Sequence, residues 1–347
     1  MLCAYMHPSI PLLLALLIGS LCRGAPPAEE WPISTPSQEG LQTETLARMD
    51  FRIQADLPHV RSLLIARHGR LVFEKYYGDA SRDGLHNIQS MTKSVTSALV
   101  GIALQKGLIR SLDDRIVDYL PQSRTKVVDE RMKDVTVRHL LTMSSGIDAM
   151  QLSFDQAFAD PVVEILGQRL LYAPGSEFKY SSPAAHLLGG VLRKVSGRSV
   201  LEFAEAELFA PLGIGKVVWY ADSTGLQSGG MSALWRSRDI LKVGELYLRR
   251  GRWGRRQLIP SAYIAESVKL QNTGEFYGET ARYGYMWWIA SVAGHDAFYA
   301  RGYGGQYLMV IPDADLVVLC TSDWKQPEYP RHFALVETFL LPSLAEK

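Results

Sequence analysis

Ser90 and Lys93 are three residues apart in His86-Asn87-Ile88-Gln89-Ser90-Met91-Thr92-Lys93-Ser94-Val95. On a helix, that spacing sets the hydroxyl and the amine side by side on one face. A serine hydroxyl is a weak nucleophile near neutral pH and needs an adjacent base to take its proton. Lysine can be that base only where burial lowers its pKa toward neutrality. Val95, Leu99 and Ile102 recur at the period of an apolar stripe, which predicts an amphipathic helix able to bury the amine. The pattern S-x-x-K occurs four times, at Ser90, Ser123, Ser176 and Ser322. Ser123 lies in a polar stretch, Ser176 follows the turn signal Pro174-Gly175, and Ser322 precedes Pro327 and Pro330. Only Ser90 opens a long apolar-periodic segment.

Two further stretches carry chemistry. In Ala173-Pro174-Gly175-Ser176-Glu177-Phe178-Lys179-Tyr180-Ser181-Ser182-Pro183, Pro-Gly forces a turn and Pro183 suits the first turn of a helix. Tyr180 then sits on a short loop at a helix entrance. A phenol beside an ammonium is pushed toward phenolate, which would make Tyr180 a general base. Taken alone, it is better read as one tyrosine among 16, with its ring packed and its hydroxyl bonded to the backbone. The second stretch is Ala300-Arg301-Gly302-Tyr303-Gly304-Gly305-Gln306-Tyr307. Glycines at a strand end let another backbone approach closely. Acyl transfer uses such an edge, because a strand N–H there and the Ser90 N–H can together hold an oxyanion. The alternative is a plain hairpin turn; a dinucleotide fingerprint is excluded because strand, not helix, follows.

The elements that must position these groups are readable from period and punctuation. Trp31 to Arg52 reads as an extended lead and a first helix. Leu63 to Arg67, His68-Gly69-Arg70 and Leu71 to Tyr77 read as a hairpin. Helical segments are expected at Val135 to Met143, Pro161 to Leu171, Ala185 to Val195 and Ser237 to Arg249, the last burying Ile240, Val243, Leu246 and Tyr247. Strands return at Phe298 to Arg301, Tyr307 to Ile311 and Leu316 to Cys320, before a final helix near His332 to Leu340. Strands at both ends with helices between them predict an α+β fold, one sheet built from both termini and an inserted helical lobe. The sheet lobe is placed at about 37–125 and 255–347, and the helical lobe at about 126–254.

Ile10 to Leu21 is an apolar run of signal-peptide length, too short to span a membrane. It marks residues 1–24 as a leader and the protein as exported, periplasmic or secreted, with no stable membrane insertion once the leader is removed. A lipid anchor on Cys22 is disfavoured by the large Leu21 before it. Apolar content of 47% and charged content of 21% are those of a globular domain. A net charge of +1 leaves no electrostatic footprint for nucleic acid. Of the three cysteines only Cys320 lies outside the leader region, so no intramolecular disulfide is expected. No metal-ligand spacing is present, and no cofactor is implied. His139 and His186 fall within apolar helical patterns and read as core histidines. Trp287 and Trp288 read equally as pocket lining and as core, with Trp287 taken as a substrate contact. Met150 to Asp160 could cap the cleft or simply connect two helices.

Ser90-Met91-Thr92-Lys93, Tyr180-Ser181-Ser182 and Arg301-Gly302-Tyr303-Gly304-Gly305, in this order, resemble the three motifs of the serine β-lactamase/penicillin-binding protein superfamily. The flanks agree: Val137-Arg138-His139-Leu140-Leu141-Thr142-Met143-Ser144-Ser145-Gly146, Leu187-Leu188-Gly189-Gly190 and Tyr283-Gly284-Tyr285-Met286-Trp287-Trp288. The likeness runs from about Arg61 to Asp323 and is greatest to class C-type hydrolases, among them esterases, D-amino-acid peptidases and 6-aminohexanoate-dimer hydrolases. The resemblance implies a β-lactamase/transpeptidase-like fold and hydrolysis of a small ester, amide or peptide-like substrate through a Ser90 acyl-enzyme. Lys93 and Tyr180 would share the general base role, and the N–H groups of Ser90 and Tyr303 would form the oxyanion hole. Ser182, Gly302, Gly304 and Trp287 would touch substrate. Ser182 replaces the family's asparagine, and the third motif lacks the Lys or His that helps β-lactam enzymes hold a substrate carboxylate. Arg301 falls at the wrong alternation position to replace that cation. These departures leave a second expectation open, a ligand-binding descendant that deacylates slowly or not at all.

Overall fold

The structure, a computed structural model, describes residues 31–121, 127–148, 158–325 and 332–344. The expected leader, residues 1–24, and most of Met150 to Asp160 lie outside these residues. Eight antiparallel strands form the main sheet: β1 (Val60–Arg67), β2 (Arg70–Tyr76), β3 (Asn272–Phe276), β4 (Glu279–Tyr283), β5 (Trp288–Val292), β6 (His295–Gly302), β7 (Gln306–Ile311) and β8 (Leu316–Ser322). Their spatial order is β2-β1-β8-β7-β6-β5-β4-β3. The N-terminal hairpin is therefore zipped onto the C-terminal strands through β1 and β8, with Leu64 opposite Leu319. The β1–β2 turn is as short as its sequence suggests, because His68 and Gly69 both take positive φ, 52° and 75°.

Both faces of the sheet are covered. On one, α1 (Thr43–Asp56) and the C-terminal helical segment from His332 bury Leu46, Met49 and Ile53 against Leu63, Ile65, Met309 and Val318. On the other pack α2 (Thr92–Gln105) and α5 (Ser237–Leu248), with α4 (Ser182–Ser196) against α2 and α3 (Val137–Leu141) against α4. Gly244 of α5 permits close packing on the sheet, since a Cβ there would lie 2.5 Å from Val317 Cγ1. Strands from both chain ends and helices from the middle give the expected α+β architecture.

The α2 helix departs from its predicted amphipathic character. Every residue from Thr92 to Ala103 is buried. Its polar positions are tolerated because each finds a partner, as a buried hydroxyl must. Ser94 Oγ donates to the Met286 carbonyl at 2.7 Å, Thr96 Oγ1 to the Gly229 carbonyl at 2.8 Å, and Ser97 Oγ lies 3.0 Å from the Tyr263 hydroxyl. Truncating a residue such as Leu99 in so closed a setting typically costs about 2–5 kcal/mol. The helix that begins just after Ser90 is thus a rigid central post.

Candidate active site

The turn that presents Ser90 is strained and held from both sides. His86 and Asn87 pair with Trp235 and Leu234 in a small second sheet, and Ile88 N–H donates to the Ala233 carbonyl at 3.0 Å. Gln89 then takes φ +49°, rare for a residue with a side chain. The Asn87 side chain accepts from Gln89 N–H at 2.9 Å and stabilises that bend. A single 3₁₀ turn, Gln89–Met91, leads into α2 and leaves Ser90 partly exposed. Strain of this kind, costing about 1–3 kcal/mol, persists where the surroundings over-determine it, and clusters at functional sites.

Lys93, one turn on, is 1% exposed, and burial lowers its pKa to about 7. Nζ lies 3.0 Å from Ser90 Oγ, 2.9 Å from Ser182 Oγ and 2.7 Å from the Gly230 carbonyl. Three donors of an ammonium would all be satisfied here. In the neutral amine, Ser182 and Gly230 can take the two N–H groups, leaving the lone pair toward Ser90. Gly230 was not singled out from the sequence. It reaches the amine because a Cβ at this position would lie 2.9 Å from the Ser182 carbonyl, so only a glycine packs this closely against the start of α4. The pair Gly229-Gly230 is the signal that could have flagged it.

Tyr180 sits on the loop before α4, whose entrance is fixed by Ser181 Oγ accepting from Ala184 N–H at 3.2 Å. Pro183 occupies the second helical position, since Ser182 is the first. Lys93 Nζ lies over the Tyr180 ring, 4.8 Å from its centre. The expected phenolate is not supported. Burial pushes the Tyr180 pKa up, outweighing a Ser90 hydrogen bond and the Arg301 charge, which act the other way. The ring stacks on Trp288 at 5.5 Å and packs at a tilt against Phe276 at 4.6 Å, contacts that fix its direction.

The third stretch closes the opposite side. Gly302 ends β6, and a Cβ there would lie 2.4 Å from the Ile88 carbonyl, so only a glycine lets β6 meet the chain leading into Ser90. Gly304 takes φ +72° and packs against Trp324, where a Cβ would be 2.4 Å from its Cα. Tyr303 stands between them, 49% exposed. The turn is pinned by Gln306, a fully buried amide that the sequence did not single out. Its Nε2 donates to the carbonyls of Gly304 at 3.1 Å and Ser322 at 2.8 Å, and its Oε1 accepts from Ser322 N–H at 3.0 Å.

Other readings resolve differently. Trp287 is a correction: it is fully buried, with its ring 4.5 Å from Tyr247 and 5.2 Å from Phe298, so it is core and presents no surface to a substrate. Its neighbour Trp288 supports Tyr180 instead, because the two side chains point to opposite sides of the chain. His139 Nδ1 accepts from Thr136 N–H and completes a capping box for α3. His186 is buried against Asp222, 3.0 Å from its carboxylate. Among the other S-x-x-K serines, Ser176 bonds its own turn and Ser322 is buried in β8; Ser123 lies outside the described residues. Among the described residues no cluster of His, Cys, Asp and Glu could hold a metal ion, and no helix is long and apolar enough to cross a membrane.

An antiparallel sheet joining both termini, a central buried helix begun by a serine and lysine pair, and a tyrosine facing them from a helical lobe define a β-lactamase/transpeptidase-like protein. The model of the family described as Beta-lactamase matches residues 59–337, and the chain belongs to that family. It is 23% identical to the 6-aminohexanoate-dimer hydrolase of Paenarthrobacter ureafaciens over 346 residues, 89% of this chain and 84% of the relative. Among solved structures, a family VIII carboxylesterase aligns with TM-score 0.72 at 20% identity, covering 89% of this chain and 98% of the other. The octameric penicillin-binding protein homologue from Pyrococcus abyssi aligns with TM-score 0.71 at 21% identity, covering 87% and 77%.

Proposed function

We propose that the protein hydrolyses an ester or amide through an acyl-enzyme on Ser90. The observation that carries this reading is Lys93, a buried amine with a pKa near 7 and 3.0 Å from Ser90 Oγ. As Ser90 Oγ bonds to the substrate carbonyl carbon, its proton passes to the Lys93 lone pair. The N–H groups of Ser90 and Tyr303 take the oxyanion, each such donor being worth about 3 kcal/mol of barrier. Tyr180, neutral rather than ionised, relays the Lys93 proton to the leaving oxygen or nitrogen as its bond to carbon breaks. Water then gives a proton to Lys93, attacks the acyl carbon, and releases the acid as Ser90 Oγ recovers its proton. The relationship to an amide hydrolase and the structural likeness to a carboxylesterase support this substrate class. We further propose, from the apolar run Ile10 to Leu21, that the working protein lies outside the cytoplasm after removal of a leader.

The test follows 4-nitrophenol release from 4-nitrophenyl butyrate, with intact mass, for the wild type and Ser90→Ala. Steady turnover that disappears in the mutant is expected. Equal turnover in Ser90→Ala would remove the assignment. A persistent butyryl adduct without turnover would instead indicate a slowly deacylating, penicillin-binding-like protein.

A further inference from the structure

The mouth of the site carries aromatic surface that acyl transfer itself does not use. Strands β3 and β4 are joined by a two-residue turn, Tyr277-Gly278, with Phe276 opposite Glu279 at its base. Both turn residues take positive φ, 51° and 76°. Asn or Asp is the usual first residue of such a turn, because a bulky side chain strains this backbone. Tyr277 is nonetheless 78% exposed, so burial does not offset the strain. Its ring packs on Phe276, centre to centre at 4.5 Å. Phe276 is itself partly buried against the core and lies 4.6 Å from Tyr180 and 5.0 Å from Trp288. The Arg301 guanidinium lies 5.6 Å from the Phe276 ring centre and holds that ring in place. A continuous run of rings therefore leads from Tyr180, whose ring lies beside Lys93, out to solvent at Tyr277. A strained aromatic kept exposed at the end of that run has no role in the core.

We infer that Phe276 and Tyr277 form a stacking subsite for a flat aromatic ring of the substrate. The favoured class is then esters or amides bearing an aryl group a few bonds from the scissile carbonyl. This rests on the Ser90 hydrolase reading for its catalytic test. A flat ring can stack on Phe276 and Tyr277 where a puckered ring of similar size cannot. Stacked aromatic pairs gain beyond their buried area by an amount equivalent to roughly two- to tenfold per ring.

The experiment compares kcat/KM within two matched pairs: methyl 3-phenylpropanoate against methyl 3-cyclohexylpropanoate, and benzyl acetate against cyclohexylmethyl acetate. Acid release is read with a pH indicator. The wild type should favour the aryl member of at least one pair. Tyr277→Asn, which suits the turn and should fold with an equal or higher Tm, should lower that ratio about three- to tenfold, while Tyr277→Phe keeps it. Absence of aryl preference in both pairs, or a preference unaltered in Tyr277→Asn, overturns the inference. If no ester is turned over, the Ser90 reading is decided separately, by 4-nitrophenyl butyrate turnover and adduct formation. Calorimetric binding of 3-phenylpropanoate and 3-cyclohexylpropanoate then decides: tighter aryl binding that Tyr277→Asn abolishes supports the subsite, and equal or absent binding overturns it.

Discussion

Replacing Lys93 by Met tests the central electrostatic claim without any knowledge of the substrate. Burial takes the lysine pKa from its ordinary 10.5 to about 7. Between those two values the unfolded chain holds more protons than the folded one, so the lysine makes wild-type stability rise with pH. At about 1.4 kcal/mol per pKa unit, holding the amine in place costs the wild type roughly 4 kcal/mol at pH 7 and about 2 kcal/mol at pH 9. Met keeps the length of the side chain and carries no charge. Its substitution also strands Ser182 Oγ and the Gly230 carbonyl, at about 1–3 kcal/mol each, but that loss does not depend on pH. The sign of the difference at any one pH is therefore a balance, whereas its slope is not. Urea unfolding of both proteins at pH 7, 8 and 9 should show the wild type gaining about 2 kcal/mol on the mutant across this range. Parallel stability curves, or a slope of the opposite sign, would refute the argument that Lys93 is held largely neutral by burial.

Two further substitutions separate the roles around it. Tyr180→Phe should lower kcat by about 100-fold or more, with KM within a few-fold, because the ring contacts remain and only the proton relay is lost; a kcat within threefold of wild type on a methyl ester would rule the relay out. Gln306→Leu removes the amide that bonds Gly304 and both backbone groups of Ser322, and should destabilise the protein by about 3 kcal/mol. Because that amide positions the turn carrying Tyr303, kcat should fall more than KM rises; an unchanged kcat in the folded mutant would show that the turn keeps its shape without it.

Much of the frame was legible because it depends on local signals. The His68-Gly69 turn, the Thr136 cap of α3 and the Gly197 stop of α4 are written in single residues whose backbone preferences are strong. The same is true of Ser90 and Lys93, whose spacing needs only a helix to become a contact. What could not be read depends on distant parts of the chain meeting. The pair Gly229-Gly230 marks a close approach but does not say that the Gly230 carbonyl will face an amine 137 residues earlier in the chain. Gln306 looks like a surface polar residue until β7 and β8 enclose it. The amphipathic reading of α2 failed because, Lys93 apart, its buried polar residues are small hydroxyls that neighbouring carbonyls and a tyrosine hydroxyl satisfy on several sides. The Tyr180 phenolate was not legible for a related reason, since the burial that pushes the phenol's pKa up comes from rings far along the chain. The β3–β4 hairpin was missed because Tyr277 stands where Asn or Asp is the usual turn signal.

The replacement of the family's asparagine by Ser182 now has a physical consequence. An asparagine side chain is long enough to bond the lysine and still reach toward a bound ligand. Ser182 Oγ meets Lys93 at 2.9 Å, and the residue is 3% exposed, so its reach ends at the amine. The lysine loses nothing by the exchange, because the hydroxyl and the Gly230 carbonyl supply the two acceptors a neutral amine needs. What is lost is a polar side chain directed at the substrate from that side of the cleft. The third motif likewise offers Tyr303 between its glycines rather than a cation. Both changes remove handles for a polar, carboxylate-bearing ligand while leaving the Ser90 and Lys93 pair intact. Under the proposed acyl-enzyme reading, a site altered in this way draws its substrate affinity from elsewhere. The partly exposed aromatic run from Tyr180 to Tyr277 is the surface beside it able to supply that affinity.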